Sequence, residues 1–207
     1  MQTLHVSDEG ALPAAVAALR AGEVIVVPTD TVYGLAALPE EAEAVRRVYL
    51  AKGRPGGMAL PVLAASVDQV RQLGVDFGPD ATRLAARWWP GPLTMAFGFS
   101  GSSWRPAWLA GRDEVAVRIP DQPFLLALIR TIGVVLVTSA NPHGAPTPSS
   151  ADEAGRLLAP HVSLGIDAGP LDSSPSTLIN LRARPAVIER EGALSRSDLT
   201  TLLDPPA

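Results

Sequence analysis

The side chains able to do chemistry in this sequence gather in four short polar clusters, each beside an apolar run. The first is Pro28-Thr29-Asp30-Thr31-Val32-Tyr33-Gly34-Leu35, which follows Val24-Ile25-Val26-Val27. It brings two hydroxyls, a carboxylate and a phenol to one strand end, where α/β sheets usually hold ligands, although threonine and aspartate also cap ordinary turns. The second is Lys52-Gly53-Arg54-Pro55-Gly56-Gly57, containing the chain's one lysine against sixteen arginines. Lysine is a compact point charge, suited to gripping a phosphate without bidentate geometry; a basic helix terminus on the surface is the plainer reading. The cluster is neither a GxxxxGK loop nor GxGxxG. The third, Thr138-Ser139-Ala140-Asn141-Pro142, leaves the apolar run 134–137. A nucleophilic serine would need a base and a GxSxG elbow. His143 is the nearest histidine and the elbow is absent, so hydrogen bonding to a ligand is favoured. The fourth is Ser174-Pro175-Ser176-Thr177. Arg118 and Arg190 each follow a short β-branched run, where a guanidinium can clamp a carboxylate or phosphate or simply face water.

Positioning these clusters requires buried strands and amphipathic helices. Apolar spacing of 3.6 predicts helices over 11–21, 40–51, 66–73, 79–87, 123–132, 151–159 and 195–203. Short apolar or β-branched runs predict strands over 24–27, 60–63, 93–99, 115–119, 134–138, 162–166, 177–181 and 186–188. The elements interleave without strict alternation, and no long period repeats. The expected fold is therefore α/β: a twisted sheet of mixed parallel and antiparallel strands flanked by helices, in one domain over 1–207.

Composition narrows the functional classes. With 207 residues, 47% apolar and 18% charged, the chain can bury a large core. It has no cysteine, which removes disulfides, thiolate zinc sites and a cysteine nucleophile. Its three histidines lack metal-binding spacing, so no structural metal site is expected. A net charge of −4 argues against a protein that coats nucleic acid. The absence of a signal-like N-terminus and of a bilayer-length apolar run predicts a cytoplasmic protein.

Six stretches in order, PTDTVYGL (28–35), KGRP (52–55), WPGPLT (89–94), VAVRIP (115–120), TSAN (138–141) and PSTLIN (175–180), resemble the YrdC-like family of threonylcarbamoyl-AMP synthases. The resemblance runs from about Val24 to Gly192, and the chain looks like the family's single-domain form, with a central concave cavity. It implies that L-threonine and bicarbonate or CO2 form an N-carboxy-threonine. The carboxylate of this intermediate attacks the α-phosphorus of ATP, with Mg2+ on the phosphates. The product would be threonylcarbamoyl-AMP, passed to a separate tRNA threonylcarbamoyl-transferase complex for an adenosine beside the anticodon. By motif position, Thr31, Arg118, Ser176 and the backbone at Val137 should hold threonine. Arg54, Ser139, Asn141, Thr147 and Arg190 should surround ATP, with Lys52 reaching the phosphates or the developing carbamate. Lys52 and Arg54 are the expected catalytic cations.

The sequence departs from the family pattern twice. Met58-Ala59-Leu60 stands where a polar residue usually precedes proline-leucine, and Glu189-Arg190-Glu191-Gly192 places carboxylates around the late arginine. The rival readings are a carbamoyl-adenylate former related to hydrogenase-maturation proteins, which are longer and carry zinc-finger-like cysteines, and a non-catalytic RNA-binding or ribosome-assembly module.

Overall fold

The structure, a computed structural model, describes residues 1–53, 59–99, 106–109, 111–171 and 174–203. In chain order its elements are β1 (Gln2–His5), α1 (Ala11–Arg20), β2 (Ile25–Val27), β3 (Gly34–Ala37), α2 (Ala42–Lys52), β4 (Val62–Leu63), α3 (Val67–Arg71) and α4 (Pro79–Trp88). They continue with β5 (Leu93–Phe97), a 3-10 turn at Ala107–Leu109, β6 (Val115–Arg118), α5 (Pro123–Ile132) and β7 (Val135–Ser139). The last are α6 (Ala151–Leu158), β8 (Leu164–Asp167), β9 (Thr177–Asn180), β10 (Val187–Arg190) and α7 (Arg196–Leu203). The strands form one ten-stranded sheet in the order β1-β8-β2-β3-β7-β4-β6-β5-β9-β10. Four neighbouring pairs are parallel and five antiparallel, so the sheet is mixed, as the interleaved pattern predicts.

Two strands differ from the sequence expectation. Gly34-Leu35-Ala36-Ala37 lacks β-branched residues and reads as loop, yet it is strand β3. It pairs with β2 on one side and β7 on the other and is buried along its whole length. Edge strand β1 is mostly exposed, so no apolar alternation marks it.

Alternation along the strands creates two cores. Val24 and Val26 join Leu35, Val62, Met95, Val117 and Ile179 on one face, covered by α2, α3, α4, α6 and α7. Ile25 and Val27 join Ala36, Leu63, Val135, Val137, Leu164 and Ile166 on the other face, under α1 and α5. Helix α1 buries Ala11, Ala15 and Leu19 at four-residue spacing. Helix α5 is started by the Gln122 side chain, which accepts from the Leu125 N–H, and buries Leu125, Leu128 and Ile129.

The α1/α5 layer spans β8, β2, β3, β7 and β4. Beyond it, the same face of β6, β5 and β9 presents Ala116, Arg118, Thr94, Ala96 and Leu178, which line two cavities of about 310 and 860 Å³. The hollow thus lies where one face of the sheet outruns its helical cover.

Candidate active site

The turn after β2 is organised by one hydroxyl. Thr29 Oγ1 accepts from the N–H groups of Thr31 and Val32 at 3.0 and 3.1 Å and donates to the Val32 carbonyl at 2.7 Å. It also bonds Thr31 Oγ1 at 3.0 Å. Short polar side chains satisfy the backbone this way in tight turns. The turn leads directly into β3 and presents Asp30 and Thr31 toward β6.

Arg118, the last residue of β6, meets them there. Its Nε–H donates to the Gly91 carbonyl at 2.9 Å, one terminal nitrogen to Thr31 Oγ1 at 2.9 Å, and the other to Asp30 Oδ1 at 2.6 Å. The side chains of Arg118 and Asp30 are only 6% and 13% exposed, so this ion pair is held away from water. Burial lowers the Arg118 pKa while Asp30 opposes the shift; arginine stays charged in either case. A guanidinium has five N–H donors. The three bonds leave one N–H on each terminal nitrogen for further acceptors.

Ser176 lines the same cavity. Its hydroxyl bonds Thr94 Oγ1 at 2.8 Å, and Arg190 donates to the Ser176 carbonyl at 2.9 Å and to its hydroxyl at 3.2 Å. The segment after β10 is fastened by Thr177 Oγ1, which accepts from the N–H groups of Gly192 and Leu194 at 2.9 Å each and donates to the Leu194 carbonyl. Partial burial and the nearby charge of Arg118 both lower the Arg190 pKa. Of the flanking carboxylates, Glu189 accepts from Asn180 at 2.7 Å while lining the larger cavity, and Glu191 accepts from Arg196 at 3.1 Å.

Lys52 does not stand on a solvated helix end. It is the last residue of α2, ended by Gly53 in the left-handed region (φ +55°), and only 4% of it is exposed. Its ammonium donates to the carbonyls of Ser139 at 2.6 Å and Asn141 at 2.7 Å, and lies 3.4 Å from the Ser139 hydroxyl. Its own carbonyl accepts from the His143 N–H at 2.8 Å. The lysine therefore pins the 139–143 loop to α2 from behind. Asn141 Nδ2 closes the loop by donating to the Ala145 carbonyl.

Tyr33 is a second anchor that its sequence position did not reveal. Its buried hydroxyl lies 2.9 Å from Asp167 Oδ1 and 2.6 Å from the Gly169 carbonyl, and accepts from the Ala168 N–H at 3.0 Å. Burial pushes its pKa up to about 12. Burial raises the Asp167 pKa, but N–H donors from Ala151 and Gly169 and the phenol outweigh it and hold the carboxyl below its ordinary value.

The smaller cavity brings together most of the residues singled out from sequence. Thr31, Arg118, Val137 and Ser176 line it together with Ser139, Asn141, Thr147 and Arg190. Lys52 supports its wall, and Arg54 and Met58 lie outside the described residues. The larger cavity shares Pro61, Thr94, Thr138 and Arg190 with the smaller and adds Tyr49, Arg112, Glu114 and Arg182. Sequence reading missed Asp30 as the partner of Arg118 and Thr94 as the partner of Ser176. Both sit inside recognised motifs, but only the sheet order reveals what they touch.

The chain was compared with known proteins. The sequence model of the Sua5_yciO_yrdC family, described as "Telomere recombination", matches residues 17–192. The threonylcarbamoyl-AMP synthase of Bacillus subtilis is 35% identical over 193 residues, 92% of this chain and 56% of that protein. Among solved structures, P. abyssi Sua5 complexed with L-threonine superposes with a TM-score of 0.87 at 33% identity, covering 97% of this chain and 60% of that one. E. coli YciO superposes with a TM-score of 0.82 at 27% identity, covering 94% and 96%. The chain thus spans little more than half the length of the first two relatives and nearly all of the third. With the family's motifs converging on one cavity and its model matching most of the sequence, the chain belongs to the Sua5/YciO/YrdC family.

Proposed function

We propose that this protein makes L-threonylcarbamoyl-AMP and pyrophosphate from L-threonine, bicarbonate or CO2, and ATP. The observation that carries the reading is a cavity of about 310 Å³ lined by two guanidiniums, Arg118 and Arg190, by the hydroxyls of Thr31, Thr94 and Ser176, and by apolar Val32, Leu63 and Val137. A small amphiphilic acid fits such a site. The two remaining N–H groups of Arg118 take the threonine carboxylate, Thr31 and Ser176 flank it, and the apolar wall receives the side-chain methyl. That the similar P. abyssi protein was crystallised with L-threonine supports this assignment.

Once the threonine amine has added to CO2, its carbamate oxygen attacks the α-phosphorus and pyrophosphate leaves. This step needs no nucleophilic side chain; it needs two anions held together. Arg190 supplies charge at the junction of the two cavities, joined by Arg54, with Ser139, Asn141 and Thr147 on the nucleotide and the larger cavity extending the space for it. Lys52 serves the same step indirectly, by fixing Ser139 and Asn141. Mg2+ binds through phosphate oxygens and water, which hydroxyl-rich walls accommodate. The product passes to a tRNA threonylcarbamoyl-transferase complex in the cytoplasm. No helix among the described residues is long and apolar enough to cross a membrane.

The test is ATP-dependent pyrophosphate release that requires both L-threonine and bicarbonate. Release that is indifferent to threonine would refute the reading. Steeply salt-dependent tRNA binding without nucleotide turnover would favour an RNA-binding module instead.

A further inference from the structure

We infer that Gly34 sets the amino-acid specificity of the site by giving Val137 the room it needs. The inference rests on the threonine assignment above. Gly34 and Val137 both line the smaller cavity, Gly34 at the start of β3 and Val137 on β7. Gly34 pairs with Ser139 and Ala36 with Val137, so Gly34 and Val137 are diagonal neighbours on one face of the sheet. A Cβ at position 34 would overlap the Val137 Cγ1 methyl, with the Thr138 carbonyl 3.5 Å away and the Thr29 methyl 3.7 Å away. The absence of one side chain is therefore what lets this valine occupy its position.

An added methyl would push first on Val137. Val137 is β-branched and stiff about χ1 in a strand. It packs in a core with Ala36, Leu63, Val135 and Leu125, all essentially buried. Close-packed interiors do not yield a methyl's volume cheaply. Val137 lines the smaller cavity, which is open space beside this packed core, so alanine at position 34 is expected to drive the valine toward it. The space lost is the apolar space that separates threonine from serine, which differ by one methyl. Discrimination by a single methyl in such a pocket is worth on the order of ten- to two-hundredfold.

The experiment measures kcat/KM for pyrophosphate release with threonine, serine and 3-hydroxynorvaline, the last one methylene longer than threonine. It uses the wild-type protein, Gly34→Ala, Val137→Ala and the double variant. Gly34→Ala should lower the threonine-to-serine ratio by about tenfold or more. Adding Val137→Ala should return the ratio toward wild type, because the smaller side chain makes the missing room. Val137→Ala alone should raise the 3-hydroxynorvaline-to-threonine ratio, which keeps the inference testable if Gly34→Ala does not fold. An unchanged ratio in Gly34→Ala, an equal loss for threonine and serine, or an unaltered ratio in Val137→Ala would each overturn it. A wild-type enzyme releasing pyrophosphate without need of any amino acid would instead overturn the threonine assignment.

Discussion

Asp30 Oδ1 sits 2.6 Å from a terminal nitrogen of Arg118, in an ion pair largely closed to water. The two residues are 88 positions apart and meet because the turn after β2 faces the end of β6. The carboxylate orients the guanidinium so that its two uncommitted N–H groups are available to a second carboxylate. Asp30 is thus a positioning residue for the proposed threonine site.

Asp30→Asn should raise the threonine KM by about tenfold and leave the ATP KM within a factor of about two, because the amide keeps the shape but not the charge that holds Arg118. Arg118→Ala should raise the threonine KM further. Asp30→Ala should also destabilise the fold by about 3–5 kcal/mol, since it leaves a buried guanidinium uncompensated. Steady-state kinetics with each substrate varied, together with urea unfolding, separates the two effects.

Lys52→Met should destabilise the protein by about 2–4 kcal/mol, because the carbonyls of Ser139 and Asn141 lose a charged donor while remaining buried. Lys52→Arg keeps the charge but brings a planar fork into a space shaped for an ammonium, so it should be only partly rescued. Thermal unfolding reads stability, and the ATP KM reads the displaced loop. Wild-type stability in Lys52→Met would remove the role assigned to this residue.

Arg190→Ala should raise the ATP KM by about tenfold, with a smaller rise for threonine through the loss of its bonds to Ser176. Glu191 is tied to Arg196 and lines neither cavity, so neutralising it should leave the ATP KM nearly unchanged. A large gain in ATP affinity from Glu191→Gln would show that its charge reaches the cavity after all.

The phenol of Tyr33 predicts an alkaline signature. Its pKa is about 12 in the folded protein against an ordinary value near 10. Between these values the unfolded chain releases the proton while the native protein keeps it. Stability therefore falls as pH rises through this window, by roughly 2–3 kcal/mol in all. Tyr33→Phe should be less stable at neutral pH by about 1–3 kcal/mol, because Asp167 and the Ala168 N–H lose their partner, and should lack this alkaline component. Urea midpoints from pH 8 to 11.5 test the difference. With two tyrosines and one lysine in the chain, few other groups titrate there.

Much of the fold was legible from local pattern. The β-branched runs of β2 and β7 can satisfy their apolar side chains only inside a sheet covered on both faces, and helices α1 and α5 carry their apolar stripes at helical spacing. The hydroxyl, amide and guanidinium side chains at strand ends were recognisable as ligand-binding groups, because little else explains so many beside apolar runs. Strand β3 was not legible: Gly34, Ala36 and Ala37 have no strong strand preference, and the two neighbours flanking them impose the conformation. Nor were the hydrogen-bond partners of Lys52, carbonyls 87 and 89 residues away. Burial periodicity is a local property that a sequence records residue by residue. The partner of a given charge depends on strand order and on where helical cover stops, so only the assembled sheet decided that Asp30 meets Arg118, that Lys52 meets the 139–143 loop, and that Val137 fills the room a side chain at position 34 would need.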